Sequence, residues 1–405
     1  MRLPFRDANE RFFWILCLIG AFAILSSAMS KNPVLKPFAT SLGTPIDLLG
    51  FVAAASTIPG MLVSLPAASL SDIIGRRKVL LFAVFVFASA PFLYLFITSW
   101  WQLIIVRFYH GFATAIFIPV AEATVAERFP TKRGERISLL SSATAVGRGV
   151  APFLGGYVLF LTNYGYPSLY LAVGVAGVAA FVSTFLLFFE KETPATGSTK
   201  AVKSQGMFRG WLTIAKNRQA VAVSFVQASQ YYVFGAVEFF LVGYLSEVAK
   251  LDPLAIGTFM GSQIVALIVA RPIIGRASDR IGRRIPLMVG SFASIVLLSA
   301  FPFSTQATVL LLLSIGYGIS FATVISSTSP LICELVPCEL VGTSLGFLAT
   351  MMDVGQTLGP IISGIVLAIN LQYSALFFSL SLLITISITI FILLRGANKS
   401  KVFTR

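Results

Sequence analysis

Twelve runs of about 20 apolar residues recur along the 405-residue chain, and they limit its possible folds more than any other feature. They fall near 12–36, 47–71, 79–97, 101–128, 137–161, 166–189, 219–245, 254–277, 285–304, 308–335, 341–368 and 372–394. A helix of about 20 residues spans a hydrocarbon core of roughly 30 Å, whereas a soluble domain would break such runs with polar faces. Only 11% of the residues are charged, against roughly 25% in soluble domains. In hydrocarbon every backbone N–H and C=O must be satisfied within its own segment, which favours helices for spans this long. The expectation is an all-α integral membrane protein with twelve transmembrane helices.

Short loops join most runs, so neighbouring helices should be antiparallel. The exception is the polar stretch 190–218, which reads as a linker between a six-helix half at 1–189 and another at 219–405. Within it, Met207-Phe-Arg-Gly-Trp211-Leu could equally lie along a membrane surface or be a solvated loop. Of the 30 Lys and Arg residues, 24 lie at the termini, in the linker or in loops on one side, while Lys36 and Lys250 occupy loops on the other. The positive-inside rule places both termini and the linker in the cytoplasm, with the cell membrane as location. The formal charge of +14 is thereby accounted for by topology, without a nucleic-acid partner. Cys17, Cys333 and Cys338 have no metal spacing and imply no disulfide framework. No small-residue cleavage site follows the first run, which is expected to remain as a mature helix. No metal or cofactor is expected.

The halves repeat each other. Ala68-Ser-Leu-Ser-Asp72-Ile-Ile-Gly75-Arg76-Arg77 returns as Gly275-Arg-Ala-Ser-Asp279-Arg-Ile-Gly282-Arg283-Arg284, at an offset of 207 residues. The same offset pairs Gly50 with Gly257, Gly111 with Gly318, Glu127 with Glu334 and Pro130 with Pro337. Beyond these, one inserted residue shifts the register to 208, pairing Gly147, Pro152 and Gly156 with Gly355, Pro360 and Gly364. Repeats separated by an even number of helices share one orientation, the arrangement of parallel transporter repeats.

These stretches resemble signatures of the major facilitator superfamily of secondary transporters, with the similarity covering essentially the whole chain. The paired turns look like its Gly-x-Leu-x-Asp-x-x-Gly-Arg-Arg/Lys loop, with Ala68 and Ala277 as departures. Leu103-x-x-x-Arg107-x-x-His110-Gly111 resembles its fourth-helix motif, with His110 where Gln is usual. Gly147-x-x-x-Ala151-Pro152-x-x-Gly155-Gly156 resembles the motif of proton-coupled exporters, with Ala151 replacing one Gly. The resemblance implies two pseudo-symmetric six-helix halves, transport by alternating access, a monomer, and proton-coupled export of amphipathic or drug-like compounds. A proton symporter or exchanger of a small organic anion is the alternative. In similar proteins the loop Asp (Asp72, Asp279) meets the following Arg76 or Arg283 and an acid equivalent to Glu127 or Glu334. That implies a cytoplasmic latch built with Gly75, Arg77, Gly282 and Arg284. Dense positive charge acting only on topology is the rival reading.

A charge within a span costs about 2.5–3.5 kcal/mol on insertion scales, so each needs a partner or a task. The acids are Glu122, Glu238 and Asp353, and each is a candidate proton carrier. The bases are Lys31, Arg107, Arg148 and Arg271, with His110 able to titrate. Lys31 and Glu238 share the 207-residue offset and could form a pair lining a cavity, or else lie solvated near helix ends. Glu122 could instead pair structurally with Arg148, and structural pairing is also the leading expectation for Arg148 and Arg271. Gly147, Gly155, Gly355 and Gly359 should permit close helix contact, and Pro152 and Pro360 should bend their helices. Tyr231 and Tyr317 could line an apolar pocket, although ordinary packing would also explain them. An intramembrane enzyme or non-transporting receptor fits poorly, because no Ser/His/Asp set, paired carboxylates or metal cluster is present.

Overall fold

The computed structural model describes residues 8–188, 212–337, 340–370 and 372–396, so the possible surface segment at 207–212 lies largely outside the described residues. The described chain is helical: α1 Ala8–Met29, α2 Leu35–Ser41, α3 Ile46–Ala54, α4 Ile58–Ile74, α5 Arg76–Leu93, α6 Trp100–Arg128, α7 Arg133–Leu161 and α8 Tyr166–Phe188. It continues with α9 Arg218–Gly243, α10 Pro253–Ile281, α11 Arg284–Ala300, α12 Ala307–Leu335, α13 Val341–Asn370 and α14 Tyr373–Gly396. Eleven helices among the described residues are long and apolar enough to cross a membrane, and α3 with α4 supplies the twelfth crossing in two pieces.

Two expected boundaries move. The first span, expected to run to residue 36, ends at Met29, and a separate short helix begins at Leu35. Pro33 explains the stop, because a proline lacks the N–H for the helical bond and disfavours helical geometry at the residue before it. Lys36, expected in a loop, is buried on α2, where its Nζ donates to Thr40 Oγ1 at 3.2 Å. The second span, expected as one helix over 47–71, is interrupted at residues 55–57. Here Pro59 opens α4 and cannot donate to the preceding turn.

The described structure divides into two compact units. The first comprises Met1–Pro45, Phe51–Ala201 and Leu251–Gly261, and the second Ile46–Gly50, Val202–Lys250 and Ser262–Arg405. In the first, α1 packs on α7 and α8, and α5 packs on α6 and α8. Phe12, Phe13, Phe87 and Phe117 fill its core. Glu10 on α1 accepts from both terminal nitrogens of Arg136 on α7, whose guanidinium also lies over the Phe13 ring. In the second, α9 packs on α13 and α14, and α11 packs on α12 and α14, with Val223, Val226, Leu331 and Phe391 inside. These are the same pairings one repeat later. Large apolar side chains such as Phe82, Val175, Phe292 and Leu312 remain exposed, as expected of helices whose outer surface meets lipid.

The repeat is also visible in backbone contacts. A Cβ at Gly147 would lie 2.2 Å from the Ala21 carbonyl oxygen, and one at Gly355 would lie 2.1 Å from that of Ala228. Gly111 meets the Ser56 carbonyl and Gly318 that of Gln263 in the same fashion. Gly155 and Gly359 likewise stand against the backbone of Asn32 and Tyr232, while Gly156 meets Pro253 and Gly257 within the first unit. Pro152 and Pro360 lie inside α7 and α13.

Candidate functional site

Polar groups inside the first unit gather around Arg107. The break between α3 and α4 leaves the Val52 carbonyl and the Ser56 hydroxyl facing α6. Arg107 takes both, through Nε to Val52 O at 3.1 Å and Nη2 to Ser56 Oγ at 2.6 Å, and is only 2% exposed. One turn further on, His110 is buried between the Phe87 and Tyr94 rings. Its Nδ1 stands 3.4 Å from the Tyr94 hydroxyl, and its Nε2 is buried without a hydrogen-bond partner among the described residues. Tyr170 stacks on Tyr94 at 4.3 Å between ring centroids. Arg107 thus sits in a built polar pocket and substitutes for backbone bonds lost at the helix break.

The second repeat lacks both halves of that arrangement. At the positions equivalent to Arg107 and Pro59 stand Ser314 and Ala266, and α10 runs unbroken from Pro253 to Ile281. Its polar groups instead line the antiparallel contact of α9 with α12. The Thr328 hydroxyl donates to Gln227 Oε1, Phe234 stacks on Phe321 at 4.5 Å, and Tyr231 meets the same ring edge-on at 5.2 Å. Further along, buried Glu238 lies in the electrostatic neighbourhood of the Tyr317 phenol. Gln230 and Gln263 are fully buried, with both amide atoms unpartnered among the described residues.

The other expected charged residues lie on different elements. Lys31 lies half-buried in the turn after α1. Glu122 is half-buried on α6 and Arg148 exposed on α7, and neither forms a hydrogen bond or ion pair among the described residues. The expected structural pairing between them is therefore absent, and Arg148 has no other partner among the described residues. Arg271 on α10 is exposed and likewise unpaired among the described residues, against the expectation of a structural pair. Asp353 is half-buried on α13 and also makes no such bond.

The paired turns are alike. Gly75 adopts φ +104° and Gly282 φ +88°, a region where side chains bearing a Cβ are strained, so each ends one helix and lets the next begin at Arg76 or close to Arg284. Arg76 donates to Ser71 Oγ and binds Glu127, with Nη2 2.6 Å from Oε1. Arg283 pairs with Asp279 and approaches Glu334 at 3.5 Å. The Asp72 side chain lies outside the described residues, so the Arg–Asp contact is visible in the second copy only. Arg77 and Arg284 occupy the first turns of α5 and α11.

Ser56, Tyr94, Gln227, Gln230, Gln263 and Thr328 were absent from the residues expected of the site. A signal existed for the glutamines: three amides lie inside otherwise apolar spans, where an unsatisfied amide is costly. Ser56 had no comparable signal, because its role depends on a helix break next to it.

Helices of membrane-spanning length, a duplicated six-helix unit and buried polar clusters in each repeat define a multi-pass membrane transporter, not an enzyme. The chain belongs to the Major Facilitator Superfamily, whose family model matches residues 16–261 and 223–404. It is 22% identical over 386 residues to the multi-drug resistance efflux pump PmrA of Streptococcus pneumoniae, covering 94% of each chain. It is 25% identical over 313 residues to the multidrug resistance protein MdtG of Proteus mirabilis, covering 76% of each. Among solved structures, a bacterial homologue of the human lysosomal transporter Spinster, described as inward-facing and unoccupied, superimposes with a TM-score of 0.83. That likeness covers 99% of this chain and all of the other at 13% identity, and it concerns the fold.

Proposed function

We propose that this transporter is a proton-driven antiporter that exports small amphipathic solutes by alternating access, acting as a monomer with both termini in the cytoplasm. The observation that carries the reading is Glu238, an acid only 7% exposed within α9, on a face shared with Tyr231 and Phe234 and near the Tyr317 phenol of α12. Protonation changes the charge of a carboxyl inside a span, and with it the balance of the interactions that carboxyl makes. A solute with an apolar body would pack against the rings, while the carboxyl gains or loses its proton. Protonation then changes the relative stability of the conformations in which the site opens to either side. The efflux-pump name of the Streptococcus pneumoniae relative supports export as the direction.

Glu122 and Asp353 are secondary proton carriers in this scheme, because each lies in a span without a partner among the described residues. The test is proteoliposome transport with a pH-sensitive dye inside the vesicles. A panel of amphipathic solutes should drive proton movement in the wild type. Glu238→Gln should still bind solute but lose solute-driven proton flux by about a hundredfold, the lower end of what one positioned proton-transfer group contributes. Proton movement independent of every solute, or undiminished in Glu238→Gln, Glu122→Gln and Asp353→Asn alike, would remove the coupling scheme.

A further inference from the structure

We infer that the second unit carries a subsite for the anionic head of an amphipathic solute, built around Arg271. A cavity of about 420 Å³ opens inside this unit, within the size range of small-molecule sites. Its polar wall comes from Gln227 and Tyr231 on α9, Arg271 on α10, and Ser326 and Ser329 on α12. Its other wall is apolar, formed chiefly by Leu345, Leu348 and Met352 of α13.

The charge balance of this wall is one-sided. Among the described residues, Arg271 brings a guanidinium with no hydrogen bond or ion pair, and no carboxylate lines the cavity. Thr328 already occupies the carbonyl oxygen of the Gln227 amide, which leaves the NH₂ end as the group able to serve a ligand. The Tyr231, Ser326 and Ser329 hydroxyls can all donate. A fixed cation flanked by donors, facing an aliphatic wall, fits a sulfate, sulfonate, phosphate or carboxylate head joined to an apolar tail. The planar guanidinium suits such oxyanions, because two parallel N–H bonds can engage two oxygens. The cation within an apolar span also gains the partner it lacks among the described residues.

This subsite rests on the exporter reading for its physiological cargo, but binding can be measured independently of transport. The full chain in phosphatidylcholine nanodiscs would be titrated calorimetrically with octyl sulfate and octyltrimethylammonium, using empty nanodiscs as the blank. Octyl sulfate should bind the wild type at least about tenfold more tightly, in line with one charge-assisted hydrogen-bonded contact. Arg271→Gln should abolish that preference, Arg271→Lys should retain most of it, and Arg271→Glu should reverse it. Equal affinity for the two heads in the wild type overturns the proposal without needing any variant to fold. An anion preference undiminished in well-folded Arg271→Gln overturns it as well. If the head-group preference is absent while cationic solutes still drive proton movement, the subsite falls and the exporter stands. If octyl sulfate binds through Arg271 but no solute moves protons, the subsite stands and the exporter scheme falls.

Discussion

Arg107 illustrates how a single ionised side chain is held in an apolar span. Its Nε and Nη2 bind Val52 O and Ser56 Oγ, the groups exposed where α3 stops and α4 has not yet begun. Replacing it by Ala strands a buried carbonyl and a hydroxyl, at about 1–3 kcal/mol for each unsatisfied group. Arg107→Ala should therefore lower the thermal unfolding midpoint of the purified protein by several degrees, and Arg107→Lys should recover part of the loss. An unchanged midpoint in differential scanning fluorimetry would mean that the pocket relaxes around the missing guanidinium. Gly282 makes a different demand, because φ +88° is set by the backbone. Gly282→Ala should destabilise by about 1–2 kcal/mol, and Gly282→Asn by less, since Asn tolerates left-handed geometry better. Folded yield by fluorescence-detected size exclusion would rank the three residues.

Between elements, the close contacts are made by glycines opposite carbonyl oxygens. Gly147 on α7 meets Ala21 on α1, and Gly355 on α13 meets Ala228 on α9, at distances that leave no room for a Cβ. Gly147→Val should push α7 away from α1 and also disturb the Glu10–Arg136 pair that joins the same helices. A loss of about 1–3 kcal/mol is expected, the usual scale of overpacking. Gly134→Val, at a position where a Cβ would meet nothing, is the control that should leave the melting midpoint nearly unchanged. The helix break is an element-scale feature too. Pro59→Ala should favour a longer continuous helix, competing with Arg107 for the Val52 carbonyl, and the proline and arginine substitutions should be non-additive in a double-mutant cycle.

At the scale of the whole molecule, the turns bearing Asp72 and Asp279 carry the prediction. Arg283 is shared between Asp279 and Glu334, and Arg76 is held by Glu127, so each repeat ties the start of a helix to the end of another on the same side. In the exporter scheme such ties belong to only part of the cycle. Asp279→Asn should alter the rate at which cysteines placed near Glu334 react with a water-soluble maleimide, while leaving solute binding within about threefold, less than one charged contact supplies. An unchanged labelling rate would reduce the turn to an orienting cluster of positive charge.

The fold was largely legible because hydrocarbon allows so few backbone solutions: about 20 apolar residues must form a helix, wherever they fall in the chain. The repeat was legible because one offset aligns Gly75, Arg76 and Glu127 with Gly282, Arg283 and Glu334, and these residues then make like contacts in each copy. The site was only partly legible. Arg107 stands out in sequence as a charge, but nothing there says that it closes a broken helix, and the break depends on Pro59 and Ser56 lying opposite it. Glu122 and Arg148 invited a pairing by charge alone that their placement does not make. Composition and spacing determined the helices, their number and their duplication, because those follow from local backbone chemistry and solvent. Tertiary structure decided which charges are satisfied and that Arg271 faces a donor-lined cavity, because both depend on side-chain directions across helices far apart in the chain.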